Sequence, residues 1–260
     1  MEAVIFDWSG TAVDYGCFAP VRAFLAAFEA YGIRPTLEET RKPMGMLKKD
    51  HLRAMLAMPR IAESFLQATG RPCEERDAAR LYETFESSLL NILAEYSEPL
   101  PHVLETAAEL RARGVKIGST TGYTARMMEL VVPAAKKRGY ESDLWVPPDS
   151  VGNCGRPYPY MIFRNLEQLR VSSVRKVLKV GDTVSDILEG KNAGVWTAGV
   201  IKGSSVLGLS REEFESLPPD EKESRVRRAE QAFINARADF VIRDMSELIP
   251  LMEKIDAEMK

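Results

Sequence analysis

The chain has 260 residues, 45% hydrophobic and 28% charged, and 35 lysines and arginines against 38 aspartates and glutamates leave a net charge of −3. That balance gives no basic face for nucleic acid or an anionic membrane, so neither is expected as a partner. No segment reaches the roughly 18 uninterrupted apolar residues of a membrane span. Cys17, Cys73 and Cys154 are an odd, scattered set that argues against a disulfide framework or a structural zinc site. The N-terminus shows no basic, apolar and small-residue leader, and a reduced cytoplasmic protein is expected.

Ala3–Phe6 is a short apolar run ending at Asp7-Trp8-Ser9-Gly10-Thr11, which reads as a strand followed by a turn. From Ala19 to about Tyr96 apolar residues recur every three or four positions, as in Val21, Phe24, Leu25 and Phe28, which predicts a run of amphipathic helices. Breaks fall at Gly32–Pro35, Met58-Pro59 and Gly70–Pro72. Beyond Pro101 the pattern alternates. Helices are predicted over about 102–113, 124–138, 158–169 and 184–193, with strands at Val115–Ser119, Leu144–Val146, Val177–Val180 and Trp196–Ile201. Strands separated by helices of this length mean βαβ units and a parallel sheet. Residues 210–237 read as a solvated surface helix, Asp239–Ile242 as a late strand and Met245–Lys260 as a closing helix. The expectation is a doubly wound, Rossmann-like α/β core (residues 1–16 and 99–260) with an α-helical cap (17–98) inserted after the first strand.

Ligands in open parallel sheets bind beyond the carboxyl ends of the strands. Three strand ends carry polar residues here: Asp7 with Ser9 and Thr11, then Ser119-Thr120-Thr121-Gly122, then Asp182 with Asp186. Meeting at one edge, they would gather carboxylates and hydroxyls around a hard cation such as Mg²⁺. Asp7 could also act as a carboxylate nucleophile. Each piece alone has a plainer reading, since an aspartate after an apolar strand is commonly a turn residue or helix cap. The spacing of all three together is far more specific.

Asp7-x-x-Gly10-Thr11, Thr120-Thr121-Gly122, Arg156 before a helix, and Gly181-Asp182-x-x-x-Asp186 resemble the four motifs of the haloacid dehalogenase superfamily. Tyr15–Pro20, Arg41–Gly45, Leu47-Lys48 with Asp50-His51, Gly118–Thr124 and Gly155–Pro159 are similar, more narrowly, to its phosphonatase family, over about residues 3 to 209. That resemblance implies hydrolysis of the P–C bond of phosphonoacetaldehyde to acetaldehyde and phosphate. It implies Asp7 as nucleophile, Mg²⁺ held by Asp7, the Ser9 carbonyl and Asp182, and phosphoryl oxygens held by Thr121 and Gly122. Arg156 would neutralise the phosphoryl group where most relatives use lysine, with Asp186 orienting it or standing, like Thr11, behind the metal ligands. Lys48 would form a Schiff base with the aldehyde, turning the departing carbanion into an enamine. Cys17, Met44, Gly45, His51 and Tyr123 match positions around the substrate, and a homodimer is implied.

Read without the family, Lys48-Lys49 is a solvated pair, His51 a packed histidine, and Cys17 and Met44 are simple core residues. Three departures stand out. Ser9 replaces the alanine usual in phosphonatases and the acidic residue of ester phosphatases, and its hydroxyl is free to bind water or metal. Ala12 stands where threonine is common in relatives, and Val151–Gly155 is one residue longer than is usual. The rivals are a Mg²⁺-dependent phosphatase or phosphomutase acting on a small ester, which would give Lys48 no role, and a binder without turnover.

Overall fold

A computed structural model describes residues 1–258. The chain begins with β1 (Ala3–Phe6) and then runs through five consecutive helices, α1 (Phe18–Glu29), α2 (Leu37–Arg41), α3 (Lys48–Leu56), α4 (Pro59–Thr69) and α5 (Glu75–Ile92). It returns through α6 (Val103–Ala112), β2 (Lys116–Thr120), α7 (Ala125–Lys137) and β3 (Leu144–Val146). The second half alternates α8 (Tyr160–Gln168), β4 (Val177–Gly181), α9 (Val184–Ala193) and β5 (Trp196–Val200). It ends with α10 (Arg211–Ser216), α11 (Pro219–Asn235), β6 (Phe240–Ile242) and α12 (Leu248–Glu258).

All six strands pair in parallel, in the order β3-β2-β1-β4-β5-β6. The order reverses at β1, and a doubly wound sheet opens its ligand crevice at such a switch point. Phe6 lies between Ser119 and Val180, so the chain leaves β1 at Asp7 beside the ends of β2 and β4. β1 and β4 are buried throughout, as strands covered by helices on both faces must be.

The helices between β1 and β2 bury Phe24, Phe28, Leu52, Phe65, Leu81, Phe85 and Leu89. Their breaks follow backbone chemistry: Gly70 ends α4 at φ 73°, and Pro59 opens it at a first-turn position where no amide is needed. The two crossings pair with each other. Leu100 N–H donates to the Ala12 carbonyl at 3.0 Å, and Asp14 N–H to the Glu98 carbonyl at 3.2 Å. Asp14 also accepts from the Phe18 and Ala19 amides (3.0 and 3.1 Å), capping α1.

Residues 210–237 correct the single solvated helix expected from their charge. Leu217-Pro218 divides them into α10 and α11, and α11 buries Val226, Ala229 and Phe233. The last two residues of the expected closing helix lie outside the described residues, and its first turn is a 3₁₀ turn at Met245–Glu247. Gly199 is what lets α11 sit so close to β5: a β-carbon there would lie 2.6 and 2.7 Å from two Phe233 ring carbons. Gly199→Ala is therefore expected to lower stability by about 1–3 kcal/mol through overpacking. Urea unfolding checks this, and Phe233→Leu in the same chain should recover part of the loss.

Candidate active site

Asp7, Ser9, Cys17, Met44, Gly45, Lys48, Thr121, Gly122, Tyr123, Arg156 and Asp182 line one pocket, together with Pro20 and Thr183. The sheet supplies Asp7 from the end of β1, Thr121 and Gly122 from the turn after β2, and Asp182 from the end of β4. The inserted helices supply Cys17, Met44, Gly45 and Lys48 from above. The cavity is only about 20 Å³, room for a single water rather than a two-carbon phosphonate. The inserted segment packs close over it. Gly45 (φ 90°) is where it presses down, since a β-carbon there would come 2.8 Å from Ser185 Cβ and overlap the Thr183 hydroxyl.

Arg156 is buried among carboxylates. Its Nη2 donates to Asp7 Oδ1 at 2.6 Å and lies 3.0 Å from Asp186 Oδ1, while Nε donates to Glu189 Oε2 at 3.0 Å. Burial opposes its charge, yet Asp186, Asp7 and Glu189 outweigh that and hold its pKa well above the ordinary value. Asp186 is pulled the other way. Burial again works against ionisation, but Arg156 and Lys179 keep its carboxyl below the usual range. Asp186 also caps α9, accepting from the Thr183 hydroxyl at 2.6 Å.

Asp182 is fully buried, accepts from Ser205 N–H at 2.7 Å and lies 3.4 Å from the Thr11 hydroxyl. Desolvation, then the charges of Asp7 and Asp186, push its carboxyl well above the ordinary carboxylate value. A cation beside Asp182 would offset the cost of burying that carboxylate next to other acids. Asp7, Asp182 and Asp186 can each bring an oxygen within 4.8 Å of the others, and an all-oxygen set suits a hard divalent metal.

Lys48 is buried in the first turn of α3, with Nζ 5.2 Å from the Tyr123 ring centre and 6.0 Å from that of Phe24. It forms no ion pair among the described residues. Desolvation lowers its pKa, aided by Arg156 and opposed by Cys17, Asp7 and Asp182. The positive end of α3 adds to the same bias against an ammonium. Burial pushes the Cys17 thiol and the Tyr123 phenol well above their ordinary values, so both stay neutral.

Two expectations change. His51 does not reach the pocket wall. It is fully buried, stacks on Phe24 at 3.9 Å and uses Nε2–H to donate to the Thr40 carbonyl at 2.8 Å, leaving Nδ1 unprotonated. The Ser9 hydroxyl is not free for water or metal: it donates to Asp14 Oδ2 at 2.5 Å, with Cys17 Sγ 3.3 Å away. Glu189 and Lys179, which contact Arg156 or its partners, were given no role from sequence, whereas Thr120, which also meets Arg156, stands in the second motif. One signal was present, because Lys179 interrupts an otherwise apolar central strand.

Burial, and secondarily Lys48, lowers His51 from 6.5 to about 3. The unfolded chain then binds a proton that the folded one refuses between those values, so stability falls as pH drops through that window. His51→Gln keeps a donor for Thr40 and removes the titration. On lowering pH from 7 to 5 the native protein should lose on the order of 2 kcal/mol more than the variant, read from urea midpoints.

The family model described as haloacid dehalogenase-like hydrolase matches residues 1–194, and a second, HAD-hydrolase-like model matches 153–248. The chain is 50% identical over 259 residues to a phosphonoacetaldehyde hydrolase of Lysinibacillus sphaericus, covering 100% of this chain and 96% of that one. It is 49% identical to one of Bacillus cereus, covering 99% and 97%. A crystal structure of a phosphonoacetaldehyde hydrolase-like protein from Oleispira antarctica superposes with a TM-score of 0.95 at 39% identity, covering 98% of this chain and 92% of that one. The motifs at the three strand ends, the inserted helices above them and this full-length similarity agree: the chain belongs to the haloacid dehalogenase superfamily and, within it, to the phosphonoacetaldehyde hydrolases.

Proposed function

We propose that the protein hydrolyses the P–C bond of phosphonoacetaldehyde, giving acetaldehyde and phosphate. The observation that carries this reading is Lys48, a buried amine with a lowered pKa and no carboxylate partner, lining the same pocket as Asp7 and Arg156. An ester phosphatase has no use for such a lysine, whereas imine chemistry requires a neutral amine.

Lys48 Nζ attacks the aldehyde carbon, and loss of water leaves a protonated imine. Asp7 then attacks phosphorus. The electrons of the breaking P–C bond flow into the imine, so the leaving group departs as an enamine on Lys48 rather than as a carbanion. Arg156, with amides and hydroxyl of Thr121 and Gly122, neutralises the phosphoryl oxygens. Protonation of the enamine carbon and addition of water to the imine release acetaldehyde, and water frees phosphate from Asp7. Asp7, Asp182 and the Ser9 carbonyl would hold Mg²⁺, which would supply positive charge to the phosphoryl oxygens. The hydroxyl of Ser9, committed to Asp14, protonates nothing in this sequence, and an enamine needs no acid there.

In this reading residues 17–98 act as a cap over the core of 1–16 and 99–260. Closure brings Lys48 over Asp7 and excludes bulk water from the aspartyl phosphate. The described residues contain no helix long and apolar enough to cross a membrane, and the three cysteines are unpaired, which suits the reducing cytoplasm. A homodimer completes the proposal, and light scattering of the purified protein decides it.

The decisive measurement is release of acetaldehyde and phosphate from phosphonoacetaldehyde, with Mg²⁺ or with EDTA. The native protein should give equal amounts of both and lose them in EDTA. Lys48→Arg should lose at least on the order of 10³-fold, the scale for removing a covalent group. Asp7→Asn should lose phosphate release yet still yield a borohydride-trapped imine on Lys48. Because the neutral amine reacts, trapping should rise with pH to a midpoint below the ordinary lysine value of 10.5. Hydrolysis of phosphate esters by Lys48→Arg at the native rate, with no action on the phosphonate, would establish the phosphatase rival instead.

A further inference from the structure

Beneath the pocket lies a second row of charge that the chemistry above does not use. Lys179 projects from β4 with no exposure, and its Nζ sits 2.9 Å from Asp186 Oδ1, 2.9 Å from Thr120 Oγ1 and 3.6 Å from Glu189 Oε2. Glu189, on α9, is equally buried and accepts from Arg156 Nε and from the Thr120 hydroxyl at 2.9 Å. Thr120 donates its single proton to Glu189 and accepts from Lys179 and from Arg156 Nη2 at 3.0 Å. Neither Lys179 nor Glu189 lines the pocket.

A buried ion pair is a poor source of stability, because desolvation offsets most of its attraction and apolar residues serve as well. What this pair does is apportion charge. Arg156 faces three carboxylates, of Asp7, Asp186 and Glu189, with one positive charge. Without Lys179, two of them would lie on the side away from the pocket and draw the guanidinium toward themselves. With Lys179 present, Asp186 and Glu189 share its ammonium and draw less on the guanidinium, and Glu189 holds Nε so that Nη2 points at Asp7. We propose that Lys179 and Glu189 are positioning residues that fix Arg156 against Asp7 and reserve its charge for the phosphoryl group. This rests on the function proposed above, in which Arg156 acts on phosphorus and Lys48 on the aldehyde.

The two halves of that reaction can be read separately. Mg²⁺-loaded native protein, Glu189→Gln, Lys179→Met and the charge-balanced double variant would be compared at saturating phosphonoacetaldehyde. Phosphate release and borohydride-trapped imine on Lys48 are the two readouts. Glu189→Gln changes shape little, and the double variant removes one buried charge of each sign, so both keep the test open if Lys179→Met fails to fold. Phosphate release should fall 10–100-fold, the usual cost of removing a supporting partner, while imine trapping stays within about twofold of native. Folded variants that release phosphate at the native rate would overturn the inference, as would trapping that falls in parallel with release. Native protein that traps no imine would sink the proposed function itself, and this inference with it.

Discussion

The contact between Arg156 and Asp7 organises this molecule. A carboxylate at the switch point of a parallel sheet is ordinary, but one held at 2.6 Å by a buried guanidinium has a fixed direction, as the proposed nucleophile would need. The surrounding construction follows from placing those charges out of water. Each must be paired or hydrogen-bonded, and the pairing uses residues from β1, β2, β4, α9 and the segment before α8. The sheet thus does more than bury apolar surface. Its register sets Phe6 between Ser119 and Val180, so that Asp7 follows beside Thr120, with Lys179 two positions back, opposite Ile5.

The opposite wall works by the absence of pairing. Lys48 is buried against aromatic rings at the start of a helix, where desolvation and the helix dipole both favour the uncharged amine. The site therefore holds one cation that is over-paired and one amine that is not paired at all, a few side chains apart. Such divergent environments for two basic groups are the usual means by which one pocket runs two kinds of chemistry. In the proposed reaction the division would follow the chain, the phosphoryl side falling to the sheet and the aldehyde side to the inserted helices.

Much of this was legible in sequence. The strands at Ala3–Phe6 and Val177–Gly181 announce themselves by apolar runs ending in Gly or Asp, and α9 by the Thr183–Asp186 capping box. Most pocket residues follow from motif spacing, since strand ends of a parallel sheet must converge. What spacing cannot give is where a side chain turns. Ser9 looked free, yet Asp14, placed five residues on by the tight turn at the crossing, captures its hydroxyl. His51 shares a helix with Lys48, but the ring of Phe24 and the Thr40 carbonyl claim it. The charge of α11 hid an apolar stripe of Val226, Ala229 and Phe233, since three buried positions in seventeen barely lower a charged average.

The paired crossings at Val13 and Pro99 have a consequence of a different kind. Because the chain leaves and re-enters the sheet side by side, the intervening helices are a detour whose ends already meet. Closing such a loop costs chain entropy that grows only slowly with its length, and neither β1 nor β2 shifts register to accommodate it. The sheet can consequently host a longer, shorter or unrelated insert at this point with its own strands undisturbed. The arrangement suits exchange: on the proposed reading phosphorus chemistry stays with the sheet, and a different occupant of the detour, carrying no lysine, would direct Asp7 to a different class of substrate.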